Sequence, residues 1–182
     1  MIEISVVVLI SLIVGMIAIP NMVSVIANAR LHAGVTSMSG LLQSCRMEAV
    51  KKNETLTTHF DEDEEKLVGW VKPVAAAPLP RLATDLQAQW EAPVKKWPSP
   101  TGVGAPTAIS TSILGFTPMT DDPSFNTRGL PCAWNGTTCV NNGFLYYFND
   151  TSRHDGQGWA ALSISPAGRI KKWFWTGSAW VD

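Results

Sequence analysis

Charge is scarce in this chain, and what there is nearly cancels. Charged residues make up 16% of its 182 positions, 14 basic against 15 acidic. A net charge near zero supplies no global field for nucleic acid or an anionic membrane surface. Catalytic signatures are missing as well: no G-x-S-x-G, H-E-x-x-H or G-x-x-x-x-G-K-[ST] pattern occurs. His32, His59 and His154 are scattered, the first in a helical stretch, the second in a strand-like one, the third in a polar loop. His154 lies near Asp150 and Asp155, a grouping that exposed polar loops often produce without any metal. The expectation is no enzyme, no metal and no cofactor. Cysteine is sparse too. Cys132 and Cys139 are close enough to form a disulfide and favour an oxidising compartment, which leaves Cys45 unpaired. Closing so short a loop contributes roughly 2–3 kcal/mol in the chain-entropy picture.

Apolar sequence, in contrast, is concentrated at the start. Residues 1–26 read MIEISVVVLISLIVGMIAIPNMVSVI, with Glu3 as the one charge, and no Lys or Arg precedes Arg30. As a helix the part from Ile4 to Ile26 would reach roughly 35 Å, against about 30 Å of bilayer hydrocarbon. A signal peptide should have a basic start, and none is found here. A plain anchor does not explain Glu3, a carboxylate that needs a partner in apolar surroundings. Nor does it explain Pro20, which lacks a helical N–H and is expected to kink or locally melt the helix.

Glu3 and Pro20, seventeen residues apart within an apolar helix, carry a family resemblance. The segment resembles the N-terminal helix of type IV pilins and type II secretion pseudopilins, whose mature chains place a glutamate and a proline at this interval. The two residues that lead those mature chains, and their short basic leader, are not at the front of this one. The resemblance therefore implies a sequence that begins inside the mature protein, or one whose true start differs from Met1.

Past Pro20 the helical pattern becomes amphipathic. Leu31, Val35, Met38, Leu41, Leu42, Cys45 and Ala49 recur at three- and four-residue steps, with polar residues mainly elsewhere. Lys51 and Lys52 suit a helix C-terminus, and Asn53 is a fitting stop. About 50 helical residues would reach roughly 75 Å, far beyond the core of a small domain. One half is therefore expected in membrane or filament and the other under a head domain. Residues 55–60 and 67–71 have strand composition and flank the acidic run 61–65 (DEDEE), which suggests a hairpin with a solvated turn. From 72 to about 120 proline and glycine are dense. An irregular excursion is expected there, ordered only at 83–90 (a helical turn) and 109–116 (a strand). Strands are then expected near 143–149, 158–165, 169–175 and 179–181.

Two C-terminal motifs, Phe125–Pro131 and Ser165–Ile170, resemble the β-domain of H-type minor pseudopilins and their pilus relatives. Some DNA-uptake members of that group carry a G-R-x-R tail, and Gly168-Arg169-Ile170-Lys171 comes close to it. The resemblance thus offers Arg169, Lys171 and Lys172 as nucleic-acid contacts, since basic residues among aromatics can grip phosphate and stack bases. Lysine in place of the second arginine weakens that option, because it lacks the planar fork. The tryptophans crowded toward the end are read as sheet core. Asn53, Asn135 and Asn149 each head an N-x-[ST] sequon, the pattern of glycosylation acceptors.

The resulting expectation is an α+β protein. A long N-terminal helix, kinked or melted near Pro20, would pack on a β-rich head. Residues 1–26 would form the membrane or filament-core half of the helix, 27–53 its amphipathic half and 54–182 the head. As the resemblance implies, the chain would wait in the bacterial inner membrane, be processed by prepilin peptidase and be handled by pilus or type II secretion machinery. It would then polymerise with copies of itself into an extracellular filament. In the family the mature N-terminal amine meets a neighbour's glutamate, a role that falls to Glu3 here. The alternatives are a minor pilin or pseudopilin that primes assembly or binds DNA, and a membrane-anchored carbohydrate-binding domain.

Overall fold

The computed structural model describes residues 2–63, 66–90, 94–97, 100, 119–153 and 158–182; within these, the side chains at 2–3, 5, 15, 17–21, 62–63 and 66 are left aside. Helical backbone, α1, runs from Ile2 to Lys52. Strands follow as β1 (Leu56–Asp63), β2 (Lys66–Pro73), β3 (Gln87–Trp90), β4 (Val94–Trp97), β5 (Ser124–Phe125) and β6 (Pro131–Trp134). The rest are β7 (Cys139–Asn141), β8 (Phe144–Asp150), β9 (Trp159–Ile164), β10 (Ile170–Trp175) and β11 (Trp180–Val181). They form two sheets, ordered β3-β2-β1-β5-β6-β7 and β11-β10-β9-β8-β4. Every strand pairing in them is antiparallel.

The expected fold class needs correction. The chain is mostly β-sheet, and a long N-terminal helix packed on a β head does not describe it. Of the helical stretch of about 31 residues, 22–52, the sheets cover the stripe from Leu31 to Ala49, and the continuous described stretch before it, 6–14, is short and leaves its side chains exposed. No melted segment interrupts the helical backbone at Pro20. The physical reason is reach. A strand of eight residues, such as β1, extends roughly 27 Å, enough to cover about 18 residues of helix and no more. Among the described residues, no helix is long and apolar enough to cross a membrane.

The packed part of the helix follows its sequence pattern closely. Leu31, Val35, Met38, Leu41, Leu42, Cys45 and Ala49 are all buried and share one core with residues of both sheets. Steps of three and four residues keep one stripe facing inward. The helix stops where expected: Asn53 takes a left-handed φ of 51°, a conformation that asparagine tolerates at a helix end.

In the second sheet, period-two alternation sorts side chains into two layers. Phe144, Tyr146 and Phe148 of β8, with Ala160, Leu162 and Ile164 of β9, face the helix. Leu145, Tyr147, Trp159, Ala161 and Trp173 form a separate cluster on the other face, with Trp175 and Trp180 packed against it. Both faces are thus apolar, so β8 and β9 read as continuous hydrophobic runs. The expectation that the tryptophans build sheet core holds for Trp159 and Trp173, both buried.

The hairpin is present and longer than expected. β1 pairs with β2 from Leu56↔Pro73 to Asp63↔Lys66, so Asp61 to Asp63 belong to a strand. The helical turn expected at 83–90 is not found. Gln87–Trp90 is a strand, paired with β2 through Leu67↔Trp90. Tertiary contact overrides local preference here. The Trp90 indole is buried and donates its N–H to the carbonyl of Gly34 on the helix. A Cβ at Gly34 would sit 3.0 Å from Trp90 Cδ1, so the glycine admits the ring. The strand expected at 109–116 lies outside the described residues.

Leu42 is fully buried at the centre of this core. Leu42→Ala should lower the unfolding free energy by about 2–5 kcal/mol. Urea denaturation followed by tryptophan fluorescence checks this, and a loss under 1 kcal/mol would show that the helix does not anchor the sheets.

Candidate functional site

Two surfaces stand out, and the larger is the helix ahead of the head. Fourteen large apolar side chains between Ile4 and Ile26 are exposed. Val6, Val7, Val8, Leu9 and Ile10 are consecutive and each is 50–63% exposed. Successive helical residues turn by about 100°, so five in a row cover every side of the cylinder. A helix that is apolar all round belongs in a buried setting. Each such side chain forgoes about 1 kcal/mol when left half wet, so the stretch forgoes on the order of 10–20 kcal/mol until something covers it. The Ser11 hydroxyl there is satisfied inside the helix: its Oγ donates to the Val7 carbonyl at 2.8 Å. Glu3 and Pro20 lie on this helical backbone, and their side chains are among those not described.

The second surface is a groove of about 620 Å³ between the C-terminal part of the helix and the β9–β10 turn. Met47, Val50 and Ile170 supply its apolar lining, and Arg46, Lys51 and Arg169 its charge. Arg46 organises this corner. Its Nη1 donates to the Gly168 carbonyl at 3.1 Å. A Cβ at Gly168 would lie 3.3 Å from the Arg46 guanidinium carbon, and one at Gly129 would lie 3.1 Å from its Nε. Both glycines have positive φ, 74° at Gly129 and 81° at Gly168, a conformation glycine adopts without penalty. The two glycine-containing C-terminal motifs therefore meet at one arginine. Sequence reasoning had both motifs and missed their common partner, since nothing local to either points to position 46.

The three basic residues offered as nucleic-acid contacts do not form one free row. Arg169 is exposed and lines the groove. The Lys171 ammonium pairs with the Asp182 carboxylate and sits 4.7 Å from the centre of the Trp173 ring. That hydrogen bond and charge hold the Asp182 carboxyl below its ordinary value. Lys172 is exposed. One of the three cations thus already has its counter-ion. The aromatic cluster offers little more to a sugar. Trp159 and Trp173 are buried, and among the described tryptophans only Trp97 and Trp134 are exposed. Trp97 packs edge-on against Trp159 at 6.4 Å.

Cys132 and Cys139 form the expected disulfide, which closes the β6–β7 hairpin through the pairing Trp134↔Cys139. The three sequons differ in setting. Asn135 lies in that hairpin's exposed turn, where its Oδ1 accepts the backbone N–H of Thr137 at 3.1 Å and of Thr138 at 2.8 Å. Asn53 is exposed at the helix end. Asn149 lies in β8, and its side-chain amide donates to the Gly158 carbonyl at 3.2 Å.

Several other polar groups make structural contacts. His59 Nδ1 is 3.0 Å from Asp122 Oδ2, and His32 stacks on Phe174 with ring centres 3.7 Å apart. Lys72 is buried under the loop after β2, with its ammonium on the carbonyls of Ala77 and Pro80 at 3.3 and 2.5 Å. Among the described residues no group of His, Cys, Asp and Glu could hold a metal ion; His154 and Asp155 lie outside them. Comparison of the chain with protein-family models, with curated proteins and with solved structures finds no match.

Burial pushes the Cys45 thiol up from 9.0 to about 12. A raised thiol pKa means that folding favours the protonated form. The stability it contributes is complete below pH 9 and is lost as pH rises toward about 12. Folded protein should therefore resist a thiol-specific disulfide reagent at pH 8, with one thiol appearing on unfolding. Urea midpoints should also fall between pH 9 and 11, less steeply in Cys45→Ala. Rapid labelling of the folded protein would refute this burial.

Proposed function

We propose that this chain is a structural subunit that polymerises through its apolar helical surface into an extracellular filament of the type IV pilin kind. One observation carries the reading. Fourteen described apolar side chains between Ile4 and Ile26 are exposed, on every side of the helix over 6–10, while the stripe beyond them is used up against the sheets. A surface of that kind calls for neighbours with the same surface, and packed copies of the chain supply them. The Glu3-to-Pro20 interval adds support by resemblance, as do the two motifs that meet at Arg46.

In this reading the subunit waits in the inner membrane and is processed by prepilin peptidase before extraction into the fibre by pilus or type II secretion machinery. Glu3 meets the N-terminal amine of a neighbour, which neutralises an acid that would otherwise be buried unpaired at high cost. Pro20 leaves one backbone carbonyl without its helical donor, a defect tolerated where protein covers it. The disulfide braces the outward-facing head. The fibre does no chemistry.

A minor, priming or DNA-binding subunit is the second reading, favoured by exposed Arg169 beside the groove and weakened by the Lys171–Asp182 pair. Filaments sheared from cells and viewed by electron microscopy, with mass spectrometry of their bands, separate the two. The first reading predicts fibres made mainly of this chain. It also predicts that Glu3→Ala lowers fibre yield at least tenfold while the subunit still reaches the membrane fraction, since an unmatched buried amine costs several kcal/mol. Normal fibre yield from Glu3→Ala would contradict the mechanism, and this chain as a trace component would favour the minor subunit.

A further inference from the structure

Of the three asparagine sequons, one holds its amide nitrogen outward on a fixed and exposed turn. Asn135-Gly136-Thr137 lies between β6 and β7, and every residue from Trp134 to Thr138 is exposed. The Asn135 N–H donates to the Thr138 carbonyl at 3.2 Å. Gly136 takes a positive φ of 95°, which glycine adopts without penalty. Behind the turn the Cys132–Cys139 disulfide joins the two strands. A Cβ at Gly136 would meet nothing within 4 Å, so the space over the turn is open to a bulky group.

The orientation of the Asn135 amide follows from its neighbours. Its Oδ1 accepts the backbone N–H of Thr137 and of Thr138 at 3.1 and 2.8 Å, and their hydroxyls at 3.1 and 3.2 Å. A backbone N–H can only donate, so the atom turned toward it must be the oxygen. Nδ2 therefore points away from these donors, and among the described residues it has no hydrogen-bond partner. Donors on the oxygen draw charge from the nitrogen and ease the loss of its proton. Thr137, the hydroxyl residue of the sequon, is one of those donors.

The other two sequons are engaged elsewhere. Asn149 sits within a sheet, paired with Lys95 on one side and Trp159 on the other, and its Nδ2 donates to the Gly158 carbonyl at 3.2 Å. Asn53 is exposed, but its sequon runs from the helix end into the first sheet. There Thr55 is half-buried, and its carbonyl accepts the Val74 N–H at 3.0 Å.

We propose that Asn135 is the acceptor of an N-linked glycan, transferred from a sugar activated as a diphosphate ester. Nδ2 attacks the anomeric carbon of that sugar. The N–C bond forms as the C–O bond to the diphosphate breaks. The diphosphate leaves with the electron pair, and the amide proton passes to a base of the transferase. The disulfide behind the turn belongs to an oxidising compartment, and sequons that serve as acceptors lie on surface loops of exported chains. The site does not depend on the filament reading, since no residue of the apolar stretch takes part.

The test takes the full-length chain from the cells that make it. Chymotrypsin cuts within the run Phe144–Phe148, which separates the peptide bearing Asn135 from the one bearing Asn149. Mass spectrometry should find the glycan on the Asn135 peptide and leave Asn53 and Asn149 bare. Asn135→Asp keeps the oxygen that the turn's donors need but has no amide nitrogen. It should lose the glycan entirely while the Cys132–Cys139 bond still forms. Thr137→Ala should lose the glycan as well. Wild-type chain with Asn135 unmodified, or with a glycan on Asn53 or Asn149 in its place, would overturn the proposal. So would a glycan that persists in Thr137→Ala, because attachment would then not use the sequon.

Discussion

One stripe of side chains on the helix, Leu31 to Ala49, holds the head together. Both sheets pack on it, with Leu56, Leu67 and Val71 from one and Phe144, Leu162 and Ile164 from the other in the same core. Neither sheet could bury its inner face without that helix between them. The strands of the first sheet are mostly short, with only β1 and β2 reaching eight residues, and short strands depend on what they pack against. Trp90 shows the dependence locally: a four-residue strand is held by a ring lodged against the helix at Gly34.

That same constraint divides the helix into two unlike parts. Where the sheets end, the inward stripe ends too, and the apolar pattern widens from one face to the whole circumference. The sheets and the stripe bury one another, whereas the described apolar side chains before them are left exposed. On the reading proposed above, assembly would complete that burial.

Much of this was legible in the chain. The buried stripe, the stop at Asn53, the four C-terminal strands and the Cys132–Cys139 bridge all follow from local rules of period, capping and spacing. The fold class was misjudged, because a long helical pattern says nothing about how far a sheet reaches along it. The 83–90 segment was misread as helical for a related reason: only the distant carbonyl of Gly34 explains why Trp90 sits in a strand. The acidic run was taken as a turn, although Asp61 to Asp63 pair with Val68 to Lys66 as strand. Arg46 was invisible as an organiser, since its partners Gly129 and Gly168 lie 83 and 122 positions away in sequence. Long-range contacts of this sort leave no periodic trace.

The central claim is that copies of the chain cover the exposed apolar stretch. A photo-activatable phenyl ketone side chain placed at Leu12, in the full-length protein within cells, tests it directly. Adducts between copies of the chain, forming a ladder of dimers and higher species, are the predicted result. Adducts with lipid alone, or with an unrelated protein alone, would contradict it.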